Sequence, residues 1–174
     1  MERKPLKKIT KTRLKNIGLF YLGRFESSVQ NLRDVLKRRV QKYVFANPDF
    51  NKEEAYQWIE EVLAEFQNAG YLNNERFAGL KIRDYLNAGK SARYILTKLK
   101  IKGIDEKKIN ELLERENYDP EKTALSFCLK KKIGPYREND EKRQEFRQKD
   151  LGTLVRAGFD YDVVLKILDV RIED

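Results

Sequence analysis

The 174-residue sequence contains no histidine. Histidine is the side chain that titrates near neutral pH, so its absence removes the usual general base, the Ser-His and Cys-His nucleophile pairs, and most zinc sites. Glycines at positions 18 and 23 have the spacing of a phosphate-binding loop, but Arg24 and Phe25 follow them instead of Lys and Ser or Thr. We therefore expect a protein that is not an enzyme and that uses no metal and no cofactor.

Cysteine is nearly absent too, since Cys128 is the only one. A single cysteine forms no internal disulfide, and its apolar neighbours favour a buried thiol over a reactive one. No apolar run reaches the roughly 18 residues that a membrane-spanning helix needs, and the basic N-terminus lacks the apolar segment of a secretion signal. These observations predict a cytoplasmic protein that does not bind membranes.

Positive charge is what the sequence has in excess. It contains 37 Lys and Arg against 28 Asp and Glu, which gives a formal net charge of +9. An excess of this kind indicates partners and not fold, with nucleic acid the first candidate and an acidic protein surface the second. The carboxylates alternate with Lys and Arg at helical spacing, which favours solvated ion pairs over a catalytic or metal-binding pair.

The composition favours an all-α fold. Proline and glycine are scarce, at 4 and 9 residues, and alternating strand-like runs do not stand out. Residues 70–105 show the pattern best: a turn, a helix, a second turn, a second helix and the cap of a third. The expected caps are Asn73, Asn74, Ser91 and Asp105, and the expected buried residues are Phe77, Ala78, Leu80, Ile82, Tyr85, Leu86, Ile95, Leu96 and Leu99.

One turn signal in this segment recurs along the chain. Gly103-Ile104-Asp105 matches Gly158-Phe159-Asp160, and Phe50-Asn51 has the same role without the glycine. In each, an apolar residue before the cap faces another in the next turn, which is a hydrophobic staple. Any helical protein contains staples, but three at matching places favour three copies of one helical unit.

These signals predict a basic N-terminal arm at residues 1–16 and three-helix repeats at residues 17–69, 70–117 and 118–174. We expect the nine helices to form a short, elongated, curved solenoid. The first repeat would hold a helix from Ile17 to Arg24, a helix capped by Ser27 or Ser28, an insertion at residues 41–48, and a helix capped by Asn51 with Trp58 in its core.

The last repeat would begin at Asp119-Pro120, an N-cap followed by proline at the first helical position. Its first helix would carry Leu125, Phe127, Cys128 and Leu129 and break at residues 130–135. A single charged helix over residues 141–155 and a final helix after Asp160 would complete it.

The candidate partner-binding residues are cations expected on exposed helix faces or in the arm. The arm is either a solvated terminus or a segment that neutralises phosphates. The full candidate set is Lys7, Lys8, Lys11, Arg13, Arg24, Arg33, Lys37, Arg38, Arg83, Arg93, Lys98, Lys100, Lys102, Lys130, Lys131 and Lys132.

Four segments resemble motifs of the RecX family, whose members regulate the recombinase RecA. Residues 21–32 (YLGRFESSVQNL) are similar to its first-repeat motif, residues 70–78 (GYLNNERFA) and 89–104 to its central motif, and residues 154–164 (LVRAGFDYDVV) to its C-terminal motif. The sequence departs from the family where Asn31, Asn73 and Asn74 replace acidic residues and where Ser91-Ala92 replaces Gly-Pro. Asn and Ser still cap helices.

The resemblance implies three repeats of a three-helix unit and binding to RecA filaments on DNA. It implies restraint of ATP hydrolysis, strand exchange and coprotease activity, and thus regulation of DNA repair and recombination. We expect a monomer whose cations form one strip along a RecA filament, touching acidic protein, DNA phosphates, or both. The alternative is a stand-alone helical nucleic-acid binder, because residues 91–116 superficially resemble a helix-turn-helix, although their last helix carries little net positive charge.

Overall fold

The computed structural model describes residues 6–171, and these residues form helices and connecting turns without a β-strand. The predicted all-α fold is confirmed. The elements are α1 Lys11–Leu22, α2 Val29–Ala46, α3 Lys52–Asn68, α4 Asn74–Asn87, α5 Ala92–Ile101, α6 Glu106–Arg115, α7 Pro120–Lys131, a 3-10 turn Gly134–Tyr136, α8 Asp140–Glu145, α9 Arg147–Arg156 and α10 Tyr161–Asp169.

The chain divides into two compact units, Met1–Phe77 and Ala78–Asp174, with the division inside α4. The predicted arm, the three-repeat division and the solenoid arrangement stay predictions. Among the helices within residues 6–171, none is both long enough and apolar enough to span a membrane.

The core of the first unit forms where α2 and α1 pack against α3. Helix α3 supplies the predicted stripe of buried residues, which runs from Ala55 through Ile59 to Phe66. Helix α2 supplies Leu32 and Leu36, which are fully buried. Because these apolar residues recur every three or four positions, each helix buries one face and leaves the other for charged side chains.

The caps of the first unit follow the sequence closely. The Ser28 hydroxyl accepts from the Asn31 backbone N–H at 3.1 Å, and the Asn51 side chain accepts from the Glu54 N–H at 3.1 Å. Asn73 accepts from the Arg76 N–H at 2.9 Å, as expected of an N-cap. The expected cap Asn74 instead accepts from the Val29 N–H at 3.0 Å. This bond ties the start of α4 to the start of α2.

Two boundaries in the first unit differ from the prediction. Helix α1 begins at Lys11 and ends at Leu22, where the prediction was Ile17 to Arg24. The Thr10 hydroxyl caps it by accepting from the Arg13 N–H at 3.2 Å, and Leu14 is fully buried. Residues 11–16 of the predicted arm are therefore helical and packed, and residues 1–5 lie outside the described range.

The predicted insertion at residues 41–48 is also wrong, because α2 continues to Ala46. Val40 is fully buried and extends the apolar stripe of α2. One turn later, the ring of Tyr43 meets that of Phe50 edge to face, with centroids 5.0 Å apart. The apolar residues of this segment thus continue a helix instead of leaving it.

The second unit contains a core in which α10 packs against α7 and α9. Phe127 from α7 and Phe159 before α10 meet edge to face at 5.6 Å, beside the buried Leu154 and Ile167. Helices α5 and α6 pair through their own buried residues, Ile95, Leu99, Ile109, Leu112 and Leu113.

The predicted cap Ser91 has a second partner in this unit. Its hydroxyl accepts from the Tyr94 backbone N–H at 3.2 Å and donates to the Ala157 carbonyl at 2.7 Å. The start of α5 is therefore bonded to the turn between α9 and α10. Asp105 and Asp119 cap α6 and α7 as predicted, and each accepts two backbone N–H groups of the first turn.

Three predictions in the second unit are wrong. The single helix expected at residues 141–155 is divided into α8 and α9 at Phe146, so the described residues hold ten α-helices instead of nine. Leu80 and Leu129, both expected inside, are 40% and 56% exposed. Leu80 follows the buried Ala78 by two residues, or about 200° around a helix, so it faces away from the stripe.

A buried carboxylate holds the turn that follows α7. Asp150 of α9 is 1% exposed and accepts from the Gly134 backbone N–H at 2.8 Å. It also accepts two bonds from the Arg137 guanidinium, at 2.6 and 2.7 Å. Burial would raise the pKa of Asp150, but these bonds outweigh burial and hold its pKa below the ordinary value. The 3-10 turn is thereby fixed to α9.

Candidate partner-binding surfaces

The described residues do not hold a cluster of side chains suited to a metal ion. Within residues 6–171, three or more His, Cys, Asp or Glu side chains do not come together in such a group. Cys128 is fully buried, and burial raises the pKa of its thiol to about 12. The candidate binding residues predicted from the sequence are all Lys and Arg side chains.

Two candidate cations of the first unit are bound to acidic residues of α3. Arg33 donates to both carboxylate oxygens of Glu60, at 2.8 and 2.9 Å, and this pairing holds the pKa of Glu60 below its ordinary value. Lys11 lies 2.7 Å from Glu61 and 3.2 Å from Glu65. These pairs hold α1 and α2 on α3, so they contribute to the fold before they contribute to a surface.

Two other candidates lie over aromatic rings. The Arg24 guanidinium carbon is 4.2 Å from the centroid of Phe20, whose side chain remains 64% exposed. The Lys37 ammonium is 5.0 Å from the centroid of Tyr56. A cation over an aromatic face keeps its charge while gaining modest stabilisation. Lys7, Lys8 and Arg38 are exposed and form no ion pair with another described residue.

A cleft between α1 and the second half of α2 gathers further cations, and we call it the α1–α2 cleft. Its inner part, of about 230 Å³, is lined by Leu6, Lys7, Ile9, Arg13, Ile17, Arg39, Lys42 and Tyr43. Its outer part, of about 440 Å³, is lined by Thr10, Thr12, Arg13, Asn16, Ile17, Phe20 and Arg39. Neither set of lining residues contains a carboxylate.

The candidate set predicted from the sequence included Lys7 and Arg13 of this cleft but not Lys42 or Arg39, although Arg39 was expected on the basic outer face of its helix. Arg39 and Lys42 stand three residues apart, so they share one face of a helix that continues past residue 40. The predicted insertion at residues 41–48 concealed that face, and the predicted arm concealed Arg13 as a helical residue. The three-residue spacing of Arg39 and Lys42 indicated a shared helix face, but the wrong predicted bounds of α1 and α2 kept this face from being recognised as part of a cleft.

The candidate cations of the second unit also divide into engaged and exposed groups. Arg83 donates to Glu116 at 2.9 Å, and Lys100 donates to Glu106 at 2.7 Å. Lys130 donates to the Asn87 carbonyl, and Lys102 is half-buried. Arg83, Lys100 and Lys130 thus connect neighbouring helices and loops of the unit.

The exposed group in this unit is smaller. The Lys98 ammonium lies 5.4 Å from the centroid of Tyr94, which Lys90 also approaches at 5.0 Å. Arg93, one turn before, is exposed, as are Lys131 and Lys132 at the end of α7. Arg93 and Lys98 thus lie on the solvent-exposed side of α5, together with Lys100, which is paired with Glu106. One strip that joins the cations of both units stays a prediction.

The helix-turn-helix resemblance of residues 91–116 gains little support from the charges of α6. Lys108 pairs with Glu111 at 2.9 Å on this helix, and Glu106 is paired with Lys100 of α5. A recognition helix needs positive charge and donors facing a groove. On α6, Lys108 is instead matched by a carboxylate of the same helix.

Comparison with known proteins identifies relatives along most of the chain, although no family model matches it. The regulatory protein RecX of Myxococcus xanthus strain DK1622 is 32% identical over 172 residues, covering 97% of this chain and 91% of the relative. The regulatory protein RecX of Agrobacterium fabrum strain C58 is 30% identical over 105 residues, covering 59% of this chain and 54% of the relative.

Two crystal structures share the fold. One regulatory protein RecX matches with a TM-score of 0.66 and 23% identity, over 92% of this chain and 72% of its own. RecX from Lactobacillus salivarius matches with a TM-score of 0.64 and 20% identity, over 91% of this chain and 96% of its own. The shared all-helical fold and the nearly full-length match to the Myxococcus protein both indicate the same family. This chain belongs to the RecX family of regulatory proteins.

Proposed function

We propose that this protein regulates RecA by binding the RecA filament on DNA. The observation that carries the proposal is the 32% identity to a regulatory protein RecX over 97% of this chain. The motifs at residues 21–32, 70–78 and 154–164 add support, because they fall in the family's order along the chain. A regulator of this kind would act in the cytoplasm, and we expect it to bind as a monomer.

The regulation that we propose is restraint of ATP hydrolysis, strand exchange and coprotease activity. We infer that the restrained step is a change of conformation of the filament subunits relative to their neighbours. A protein that contacts two neighbouring subunits opposes that change, because the contacts differ between the two states. The protein needs no reactive group for this purpose.

Exposed cations suit such a role only if several act together. A single exposed ion pair contributes about 0–1 kcal/mol. A repeating filament presents the same acidic groups at regular intervals, and linked contacts gain a high effective concentration. Arg93 and Lys98 on α5, with Lys131 and Lys132 after α7, are exposed side chains available for such contacts.

The first experiment is co-sedimentation of the protein with RecA assembled on single-stranded DNA. The double substitution Arg93→Glu with Lys98→Glu should weaken binding at least about tenfold, because it reverses two charges at the proposed contact. The matched control reverses Lys107 and Lys122, two exposed lysines of α6 and α7. Equal binding by both variants and the unaltered protein would remove the α5 face from the proposal.

One observation favours a second candidate function. The α1–α2 cleft contains cations from three segments without a lining carboxylate, which is what a stand-alone nucleic-acid binder would need. Such a protein would bind nucleic acid fully in the absence of RecA and would leave RecA activity unchanged. Measuring both properties on one preparation separates the two candidates.

A further inference from the structure

We propose that the α1–α2 cleft binds the phosphodiester backbone of a single-stranded nucleic acid. This inference deepens the proposed function by naming the surface through which the protein would contact DNA, and it rests on that function only for the biological setting. Binding of a nucleic acid by the cleft is tested without RecA, so the two proposals fail separately.

The first support is the distribution of charge in the unit Met1–Phe77. Lys11 and Lys15 pair with carboxylates of α3, as does Arg33. The cations of the cleft, by contrast, form no ion pair with another described residue. They are Lys7, Arg13, Arg39 and Lys42. Four positive side chains around one concavity make a local field that attracts an anion, and low-dielectric walls strengthen that field.

The second support is an unsatisfied donor. The Nε atom of Arg13 is buried and has no hydrogen-bond partner among the described residues. A buried N–H without an acceptor is rare, because leaving it unpaired costs stability. Arg13 lines both the inner and the outer part of the cleft. Because this atom is buried, a phosphate oxygen reaches it only if the Arg13 side chain rotates into the cleft, where its guanidinium would match phosphate geometry well.

The third support is the composition of the remaining wall. Phe20 lines the outer part and is 64% exposed even with the Arg24 guanidinium stacked on its ring. Proteins that bind single strands combine a cationic groove with aromatic rings on which bases stack. Thr10, Thr12 and Asn16 add polar groups of the kind that contact sugar and phosphate oxygens. An acidic peptide would use the cations but gain nothing from an exposed ring.

The test measures binding of a fluorescein-labelled 15-nucleotide oligo(dT) by fluorescence anisotropy between 50 and 200 mM NaCl. The substitution pair Arg39→Gln with Lys42→Gln should weaken binding about tenfold at 50 mM NaCl and lower the salt slope by about 1.4, since two phosphate contacts are lost. Phe20→Ala should weaken binding about fivefold or more by removing a stacking surface.

The matched control is Lys107→Gln with Lys122→Gln, which lowers the net charge equally with exposed side chains that lie outside the cleft. It should bind oligo(dT) within about twofold of the unaltered protein. Circular dichroism of each variant confirms that the helices remain. Equal weakening by both pairs of substitutions would overturn the proposal, since only net charge would then matter.

Two competitors complete the test. A duplex of the same length should displace the labelled strand less well than unlabelled oligo(dT), because paired bases cannot stack on Phe20. A 15-residue polyglutamate should also compete less well, because it presents carboxylates without bases. Better competition by the duplex or by polyglutamate, or binding that is unchanged by the Arg39→Gln and Lys42→Gln pair, contradicts the proposal.

Discussion

At the scale of single residues, close packing against α1 leaves no room for a side chain at Gly18. A Cβ atom added to Gly18 in α1 would lie 2.6 Å from the Cε2 atom of Phe66, which is 1% exposed in the core of the first unit. Gly79 in α4 has no neighbouring atom within 4 Å of the same position. Alanine should therefore clash with the core at position 18 but fit without a clash at position 79.

We expect Gly18→Ala to lower the free energy of unfolding by about 1–3 kcal/mol, because overpacking outweighs the gain in helix propensity. The control Gly79→Ala should raise it by up to about 1 kcal/mol. Urea denaturation followed by circular dichroism measures both changes. A Gly18→Ala protein as stable as the unaltered one would contradict the packing that we describe.

The buried carboxylate Asp150 gives a prediction that depends on pH. Asp150→Asn weakens two bonds from Arg137, so we expect a loss of about 1.5–3 kcal/mol of unfolding free energy at neutral pH. The pKa of Asp150 is depressed in the folded protein. Its contribution is therefore complete above the unfolded-state pKa of about 3.9 and disappears as the pH falls through the lower folded value.

Urea denaturation at pH 7 and at pH 3 measures this contribution. The difference in stability between the unaltered protein and Asp150→Asn should be largest at pH 7 and smaller at pH 3, because below the unfolded-state pKa the unfolded chain binds a proton that the folded protein takes up only at lower pH. A difference that does not change with pH would show that the carboxylate charge contributes nothing.

The thiol of Cys128 should be unreactive in the folded protein. It is fully buried, and burial raises its pKa to about 12, so almost no thiolate exists at pH 8. Addition of a disulfide-exchange reagent such as dithionitrobenzoate should label one thiol rapidly in urea and only slowly in its absence. Rapid labelling of the folded protein would mean that this part of α7 opens readily.

At the scale of helices, the caps were the part of the structure that the sequence predicted best. Ser28, Asn51, Asn73, Ser91, Asp105 and Asp119 all accept first-turn N–H groups as expected. Caps are local, so a residue type and its next three neighbours suffice to identify them. The second bond of Ser91, to Ala157, is not local. It depends on tertiary packing and could not be predicted from sequence.

That second bond can be measured apart from the cap. Glycine caps helices only a few tenths of a kcal/mol less well than serine. Ser91→Gly should nevertheless lower the free energy of unfolding by about 1–2 kcal/mol, because the buried link to the Ala157 carbonyl is lost as well. Thermal or urea denaturation provides the value. A loss of only a few tenths would show that the link contributes no net stability.

Helix boundaries were predicted less well, and each error has a physical cause. The basic residues before Ile17 suggested an arm that is either solvated or bound to phosphates, yet Leu14 is buried and Lys11 is paired with α3, so α1 begins earlier. The break at Phe146 has no glycine or proline to announce it. There the Arg137 guanidinium stacks 4.3 Å from the ring centroid. The sequence also does not distinguish a Lys or Arg side chain that pairs with a distant carboxylate from one that is exposed to solvent.

At the scale of the whole molecule, the same limitation applies to the candidate surface, whose role in binding stays a prediction. The net charge of +9 made the cations the candidate binding residues, but charge counts do not reveal which cations are neutralised within the fold. Arg33, Arg83 and Lys100 are paired with carboxylates, whereas Arg39 and Lys42, which were not in the candidate set, form no ion pair with another described residue. The RecX motifs, in contrast, were recognisable because each combines a cap with apolar spacing over a short segment.

The measurement that tests the central claim most directly is the rate of ATP hydrolysis by RecA on single-stranded DNA as this protein is added. We expect the rate to fall with increasing protein, and to fall less for the Arg93→Glu and Lys98→Glu double variant than for the Lys107→Glu and Lys122→Glu control. A rate that is unchanged at equimolar protein and RecA would contradict the proposal that this chain regulates RecA.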